Sequence, residues 1–372
     1  MSQRENVNPI REQNHRKNSR RYQKRAAARR RCNTIFIMEI VLLLILAVVL
    51  FFVSKLSKIE KTKLDMDKIE VNEDISQESQ KIMKGYQTIA MFGLDNRSNG
   101  NLSQGRSDVI MLANINNDTK EVKLVSVYRD TYLDTGDGIF QKCNAAYAKG
   151  GPEQAISMLN VNLDLNITDY VTVDFNSIIE CVDLLGGVDM EITDDEASLM
   201  TGYIRELNEL TGNKAENLTQ GGTYTLNGVQ ACAYARIRYG GGDDYRRTER
   251  QRTVLTAMVK KAQQSDLTTV NKLINEVCGD IQTSFSNAEL LALASQVFQY
   301  SIGDTTGFPF TKTTRVLSKK TGDVVIPCDL SDNVKELHIF LYEDSAYTAS
   351  DTVKQNSEKI VSDTGFKSGD GH

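Results

Sequence analysis

"QTIAMFGLDNRSNGNLSQGRSDVIMLANINNDTKEVKLVSV", residues 87–127, carries three apolar runs broken by polar, turn-forming stretches. Runs of this length, rich in Ile, Val, Leu and Met and bounded by Gly, Asn and Asp, predict strands over 87–94, 108–115 and 121–127. A hairpin about "NNDTK" sets Ile115 opposite Glu121 and, counting back, Asp108 opposite Tyr128, with Arg129 beside Asp108. If the Gly-rich loop joins strand one to strand two as neighbours, the end of strand one reaches the same place. One sheet edge then collects Asp95, Arg106, Asp108, Arg129 and Asp130.

Downstream, "GPEQAISMLNVNL" (151–163) predicts a helix with Pro in its first turn, "DYVTVD" (169–174) a strand, and "FNSIIECVDLLGG" (175–187) a helix ended by Gly. Helices follow over 227–236, 245–263, 267–277 and 287–300, and residues 311–342 return to strand-like alternation. The expected fold class is α/β or α+β, a central mixed sheet sandwiched by helices, over a domain spanning 86–345. The last stretch, 346–372, ends without apolar periodicity and is expected to be a flexible tail.

Upstream, residues 1–34 form a basic arm. Residues 1–31 hold eleven Lys or Arg against Glu5 and Glu12, a local balance of +9, so the remainder of a chain of net charge −5 carries −14. "IFIMEIVLLLILAVVLFFV", residues 35–53, would span roughly 28 Å as a helix, close to the hydrocarbon thickness of a bilayer. It predicts one uncleaved transmembrane helix, since no small-residue cleavage pattern follows it. The Lys and Arg excess places the amino terminus in the cytoplasm and the rest outside the cell membrane, which sets aside a nucleic-acid partner for the basic arm. Residues 54–85, free of Pro and highly charged, read as a helical extracytoplasmic stalk. Five scattered external cysteines cannot all pair, and none forms a C-x-x-C, so burial as small apolar residues is the expectation.

The second charged stretch, "AYARIRYGGGDDYRRTERQR" (233–252), holds Arg236, Arg238, Arg246, Arg247, Arg250 and Arg252, with only Glu249, Asp243 and Asp244 nearby to balance them. Such an excess seeks an anion, and guanidiniums fork onto phosphate oxygens. Carboxylates at a sheet edge plus several Arg are the parts of a magnesium-assisted phosphoryl transfer. No Walker motif is present, so a nucleotide is not the expected donor; a lipid-linked pyrophosphate fits an enzyme outside the membrane. A pyrophosphatase using water as acceptor, and a non-catalytic envelope regulator that binds anionic polymer, remain alternatives.

Taken in order, "GLDNR", "GRSDVIML", "VSVYRDTYL", "KCNAAYAKGGPEQA", "DYVTVDF", "LLGGVDMEI", "LNGVQACAYARIRY" and "DDYRRTERQR" resemble the successive motifs of the LytR-CpsA-Psr family over about residues 86–263. The resemblance implies a membrane-anchored phosphotransferase. Such enzymes move an anionic glycopolymer, of teichoic acid or capsular polysaccharide type, from polyprenyl pyrophosphate to a peptidoglycan sugar hydroxyl. It implies Mg2+ on Asp95 and Asp108, and pyrophosphate on Arg106, Arg129, Arg236, Arg238 and Arg247, with Lys142 and Gln251 in support. Asp244 resembles the base for the acceptor hydroxyl, and Arg97 fits either the site or a rim ion pair. For the prenyl chain it points to an apolar cavity, with Phe175, Ile178, Ile179, Val182 and Leu185 as candidates, core packing being the competing reading. Tyr128 stands where the family usually has Pro, and Cys143 replaces an apolar residue.

Overall fold

A computed structural model describes residues 60–61, 64–94, 102, 105–238, 244–266, 269, 272–273, 281–319 and 321–371. Residues 56–372 form one compact unit. The basic arm, the expected transmembrane helix, Asp95, Arg97 and nearly all of the expected helix 267–277 lie outside the described residues. Among the described residues no helix is long and apolar enough to cross a membrane.

In chain order the elements are β1 (Glu60–Lys61), α1 (Gln77–Met83), β2 (Tyr86–Leu94), β3 (Ser107–Asn116), β4 (Glu121–Val127), β5 (Tyr132–Asp134), β6 (Phe140–Lys142), α2 (Ala145–Leu163), β7 (Asp169–Asp174), α3 (Phe175–Leu184) and β8 (Val188–Ile192). They continue as α4 (Asp194–Thr211), β9 (Gly222–Leu226), α5 (Gly228–Arg236), α6 (Asp244–Gln264), β10 (Ile281–Thr283), α7 (Asn287–Ser295), β11 (Ser301–Phe308), β12 (Lys312–Ser318), β13 (Gly322–Pro327), α8 (Leu330–Tyr342) and α9 (Asp351–Thr364).

The central sheet is mixed and seven-stranded, in the order β1-β10-β7-β2-β3-β4-β11. Strand alternation separates two cores. Ala90, Phe92, Leu94, Ile110, Leu112, Val125 and Val127 join one with α2, α8 and α9. Ile89, Met111, Ala113, Ile115, Val122 and Leu124 face the other side. There α3–α6 and the β8–β9 hairpin build a third apolar cluster. The expected class, a mixed sheet between helical layers, is the observed one.

The three opening strands fall where expected, and the turn between β3 and β4 is closed by Asn116 Oδ1, which accepts from Asp118 N at 2.9 Å and Thr119 N at 3.0 Å. The register differs by one residue: Ile115 pairs with Val122 and Met111 with Ser126. Extended in register, Asp108 therefore falls opposite Arg129 rather than Tyr128. Placing Ile115 and Val122 on the same face buries both, and a one-residue slip would turn a whole strand inside out.

Four further segments depart from expectation. Of the expected stalk, residues 64–85 lie against the domain: Ile69, Ile75 and Met83 join its core, and the stretch holds only a short 3-10 turn at Met66–Lys68 and the α-helix at 77–83. The helix expected over 151–163 is present, with Pro152 in its first turn, and a further helical segment from Ala145 joins it across a kink at Gly150 and Gly151, where the Gly151 φ of 64° suits a residue without a Cβ. The strand-like stretch 311–342 divides into the β12–β13 hairpin and α8, which buries Leu330, Val334, Leu337 and Leu341. In the expected tail, α9 places Val353 and Ile360 in the core, and Tyr347 before it is buried. Residues 188–226, for which no element was expected, supply β8, α4 and β9. Of the cysteines, Cys143, Cys232 and Cys328 are buried and Cys181 is half-buried.

Candidate active site

The carboxyl ends of β4 and α5 and the start of α6 meet at one end of the sheet. There Arg129, just beyond β4, donates from Nη1 to Asp108 Oδ1 at 2.6 Å. Its Nε lies 3.7 Å from Asp130 Oδ2 and 3.7 Å from Asp244 Oδ2. Burial alone would lower the guanidinium's hold on its proton, but Asp108, Asp130 and Asp244 outweigh it and keep Arg129 above its ordinary pKa. Asp244 opens α6, where a carboxylate suits the helix dipole, and lies 3.6 Å from Arg238 Nη2 and 3.3 Å from Arg247 Nη2. Burial nonetheless raises the Asp244 pKa, with Asp130 adding to the effect and Arg129 and Arg238 opposing it.

Asp108, Arg129, Arg236, Arg238, Arg247 and Gln251 wall a charged pocket of about 310 Å³, together with Phe175 and Tyr203. Several of its donors are unspent. Arg247 is 4% exposed, yet its Nε has no hydrogen-bond partner; its Nη2 is met only by the ion pair with Asp244, and Arg129 Nε only by Asp130 and Asp244 at 3.7 Å. Buried donors in this condition are ready for an anion.

Against this pocket lies an apolar cavity of about 110 Å³ between β2, β3 and β7 on one side and α3 and α6 on the other. Met91, Met111, Val171, Ile178, Val254 and Met258 are among its walls, and Phe175 and Gln251 belong to both spaces. One helix, α6, serves both because Arg247, Gln251, Val254 and Met258 recur every three or four residues along one face.

The LytR_cpsA_psr family model matches residues 46–315. The chain belongs to the LytR_cpsA_psr family. It is 30% identical over 210 residues to an Enterococcus faecalis protein named polyisoprenyl-teichoic acid–peptidoglycan teichoic acid transferase TagU, covering 56% of this chain and 64% of the relative. It is 31% identical over 208 residues to Biofilm regulatory protein A of Streptococcus mutans, covering 53% and 49%. The matches thus span less than two thirds of these relatives' own length. A solved structure described as TagT bound to LI-WTA superposes with a TM-score of 0.58 at 21% identity, covering 77% of this chain and 99% of that one, a likeness of fold.

Not every residue expected from the LytR_cpsA_psr resemblance reaches the pocket. Arg106 is exposed and is not among its walls. Lys142 pairs at 3.0 Å with Asp130, behind Arg129. Of the expected lipid-facing residues, Phe175 and Ile178 line the apolar cavity, whereas Ile179, Val182 and Leu185 are buried in the core of the helical layer. Helix α3 carries apolar residues on more than one face, and only the face turned to the sheet borders the cavity. The arginine excess is also smaller than it reads locally. Arg250 Nε pairs with Glu196 at 3.2 Å and Arg236 Nη2 with Glu206 at 3.2 Å, both acids lying on α4. Arg236 also stacks over Phe175 at 5.3 Å and Tyr203 at 6.0 Å. Tyr203, Glu206 and the supporting role of Asp130 were not expected. The T-x-x-E of residues 193–196, a capping box that starts α4, was the available signal for that helix.

Proposed function

We propose that the chain is a membrane-anchored, extracytoplasmic phosphotransferase that moves an anionic glycopolymer from polyprenyl pyrophosphate to a peptidoglycan hydroxyl. The observation that carries this reading is the shared wall: a pocket of unspent guanidinium donors opens beside an apolar cavity, and Phe175 and Gln251 border both. That pairing suits an amphiphile with a polyanionic head and a hydrocarbon tail. The teichoic acid transferase named among the relatives supports the same substrate class.

In the reaction, Arg129, Arg236, Arg238 and Arg247 bind the pyrophosphate oxygens and hold them still. The acceptor hydroxyl oxygen forms a bond to the phosphorus that bears the polymer, and the bond from that phosphorus to the bridging oxygen breaks. Polyprenyl phosphate leaves, and the hydroxyl proton passes to Asp244, whose raised pKa suits a base. Charge building on the phosphoryl oxygens is met by guanidiniums already in place, so little reorganisation is needed.

Magnesium fits this donor set in a limited way. Among the described residues no three His, Cys, Asp or Glu side chains gather for a metal, but Mg2+ commonly takes one or two carboxylates and completes its shell with substrate phosphates and water. Asp108 would hold it through the oxygen that Arg129 leaves open. Asp95 would be the second ligand, following Leu94, whose register partner Ser107 precedes Asp108. The ion would neutralise pyrophosphate charge.

The test is incubation of the full chain, in detergent micelles with magnesium, with a polyprenyl-pyrophosphate-linked saccharide and peptidoglycan fragments, read by mass spectrometry. A phosphodiester adduct supports transfer. Lipid monophosphate with free sugar phosphate and no adduct would make the protein a hydrolase, and lipid binding without turnover a binder.

A further inference from the structure

The face of α6 turned away from the substrate pocket borders a larger cavity of about 610 Å³, closed by β8 and by β11 at the edge of the central sheet. Its walls differ in charge. Helix α6 contributes Arg252, Lys260 and Lys261, and β8 contributes Asp189 and Glu191. Two of these charges already answer each other: Asp189 accepts from Lys261 at 3.5 Å and from Thr225 Oγ1 at 2.5 Å. Arg252 is different. It is 8% exposed, and its Nε and Nη1 have no hydrogen-bond partner. A buried guanidinium left in this condition is costly unless a ligand answers it.

The ligand's chemistry follows from the walls. A polyanion would meet Asp189 and Glu191, and a polycation would meet Arg252 and Lys260. Among the described residues no aromatic ring lines the cavity, so a sugar would have no surface there on which to stack. Thr253, Thr256 and Gln264 offer hydroxyl and amide groups, and among the described residues β11 has a neighbour on one flank only. The β11 register against β4 shifts between Ile302 and Thr305, so the backbone there is out of step with a regular ladder. Edge-strand N–H and C=O groups suit the backbone of another peptide.

We propose that this cavity binds a zwitterionic peptide, its carboxylate on Arg252 and Lys260, its ammonium on Glu191, and its amide groups on Thr253, Thr256 and the edge of β11. The site is distinct from the pyrophosphate pocket, and its occupation does not depend on the transfer reaction.

Calorimetric titration of the full chain in detergent micelles with the dipeptide glutamyl-lysine tests this, with inorganic phosphate as a purely anionic probe and 1,5-diaminopentane as a purely cationic one. Arg252→Gln is expected to weaken dipeptide binding by at least about tenfold, as loss of one partner of a buried charge pair does. Because Arg252 is buried, its replacement can unfold the chain; Lys260→Ala and Glu191→Gln, at exposed positions, then carry the test, each with a several-fold loss. No binding of the dipeptide, or affinity unchanged in both exposed variants, would overturn the proposal. So would phosphate that binds through Arg252 and displaces the dipeptide, which would make this an anion site.

Discussion

Arg129 is the residue on which the charged pocket turns, because its one guanidinium is shared by Asp108, Asp130 and Asp244. The pairs are partly exposed, so their net contribution to stability is small, whereas their contribution to aligning phosphate donors is not. Asp108→Asn and Arg129→Gln are therefore expected to melt within a few degrees of the parent while losing at least about a hundredfold in transfer, by mass spectrometry and thermal melting. Activity near the parent level would remove both from the mechanism. Asp244 carries a second prediction. Its pKa is raised on folding, so the folded protein takes up this proton more readily than the unfolded chain; the associated stability is present at low pH and lost as pH rises through the folded value. Asp244→Asn should flatten that part of the Tm-versus-pH curve. The acid limb of kcat/KM in the parent should fall above the ordinary carboxylate value of about 3.9, and the variant should lose most of its rate. The proximity of Asp108 to Arg129 was legible because it depends only on two strands and a short turn. The partners of Arg236 and Arg250 were not, since Glu206 and Glu196 lie 30 and 54 positions away on another helix.

Elements in this fold are set by close approaches that single positions control. Gly307 on β11 leaves room for Tyr128: a Cβ there would come within 2.1 Å of the tyrosine hydroxyl. Tyr128 is in turn packed edge-on to Tyr245 of α6 at 4.6 Å, with the Lys312 ammonium 4.8 Å from the Tyr245 ring. Gly307→Ala should cost about 1–3 kcal/mol in denaturant unfolding through overpacking, and Tyr128→Phe in the same chain should return part of it; a purely additive pair would refute the contact. This packing also accounts for a tyrosine before Arg129 and Asp130: its ring fills space between the sheet edge and α6. Helix α9 makes the other element-scale prediction. Ile360 is fully buried, so Ile360→Ala should cost about 2–5 kcal/mol, and truncation before residue 346 should leave a protease-sensitive product. A solvated tail would show neither effect. The helix escaped notice because its apolar residues, Val353, Ile360 and Val361, are few among many polar ones, and only packing against α2 and α8 gives them a surface to bury.

At the scale of the molecule, the sheet acts as a partition whose one end brings a cationic pocket and an apolar cavity to the same wall. Met258→Trp, filling the cavity from α6, should raise KM for a long-prenyl donor several-fold while leaving inhibition by inorganic pyrophosphate nearly unchanged, because among the described residues the two spaces share only Phe175 and Gln251. Equal effects on both ligands would mean that the cavity does not hold the tail. From residue order alone come the mixed sheet, its first three strands, the helices α2, α3, α5, α6 and α7, the charged sheet edge and the family motifs, since hydrophobic period and turn chemistry are local signals. Folding was needed to choose the register of β3 on β4, to draw residues 64–85 and α9 onto the domain, and to match Arg236 and Arg250 with distant acids. It also decided which face of α3 borders a cavity and which joins the core. Those outcomes rest on burial and charge compensation between segments far apart in the chain, and no local pattern records which distant surface a segment will meet.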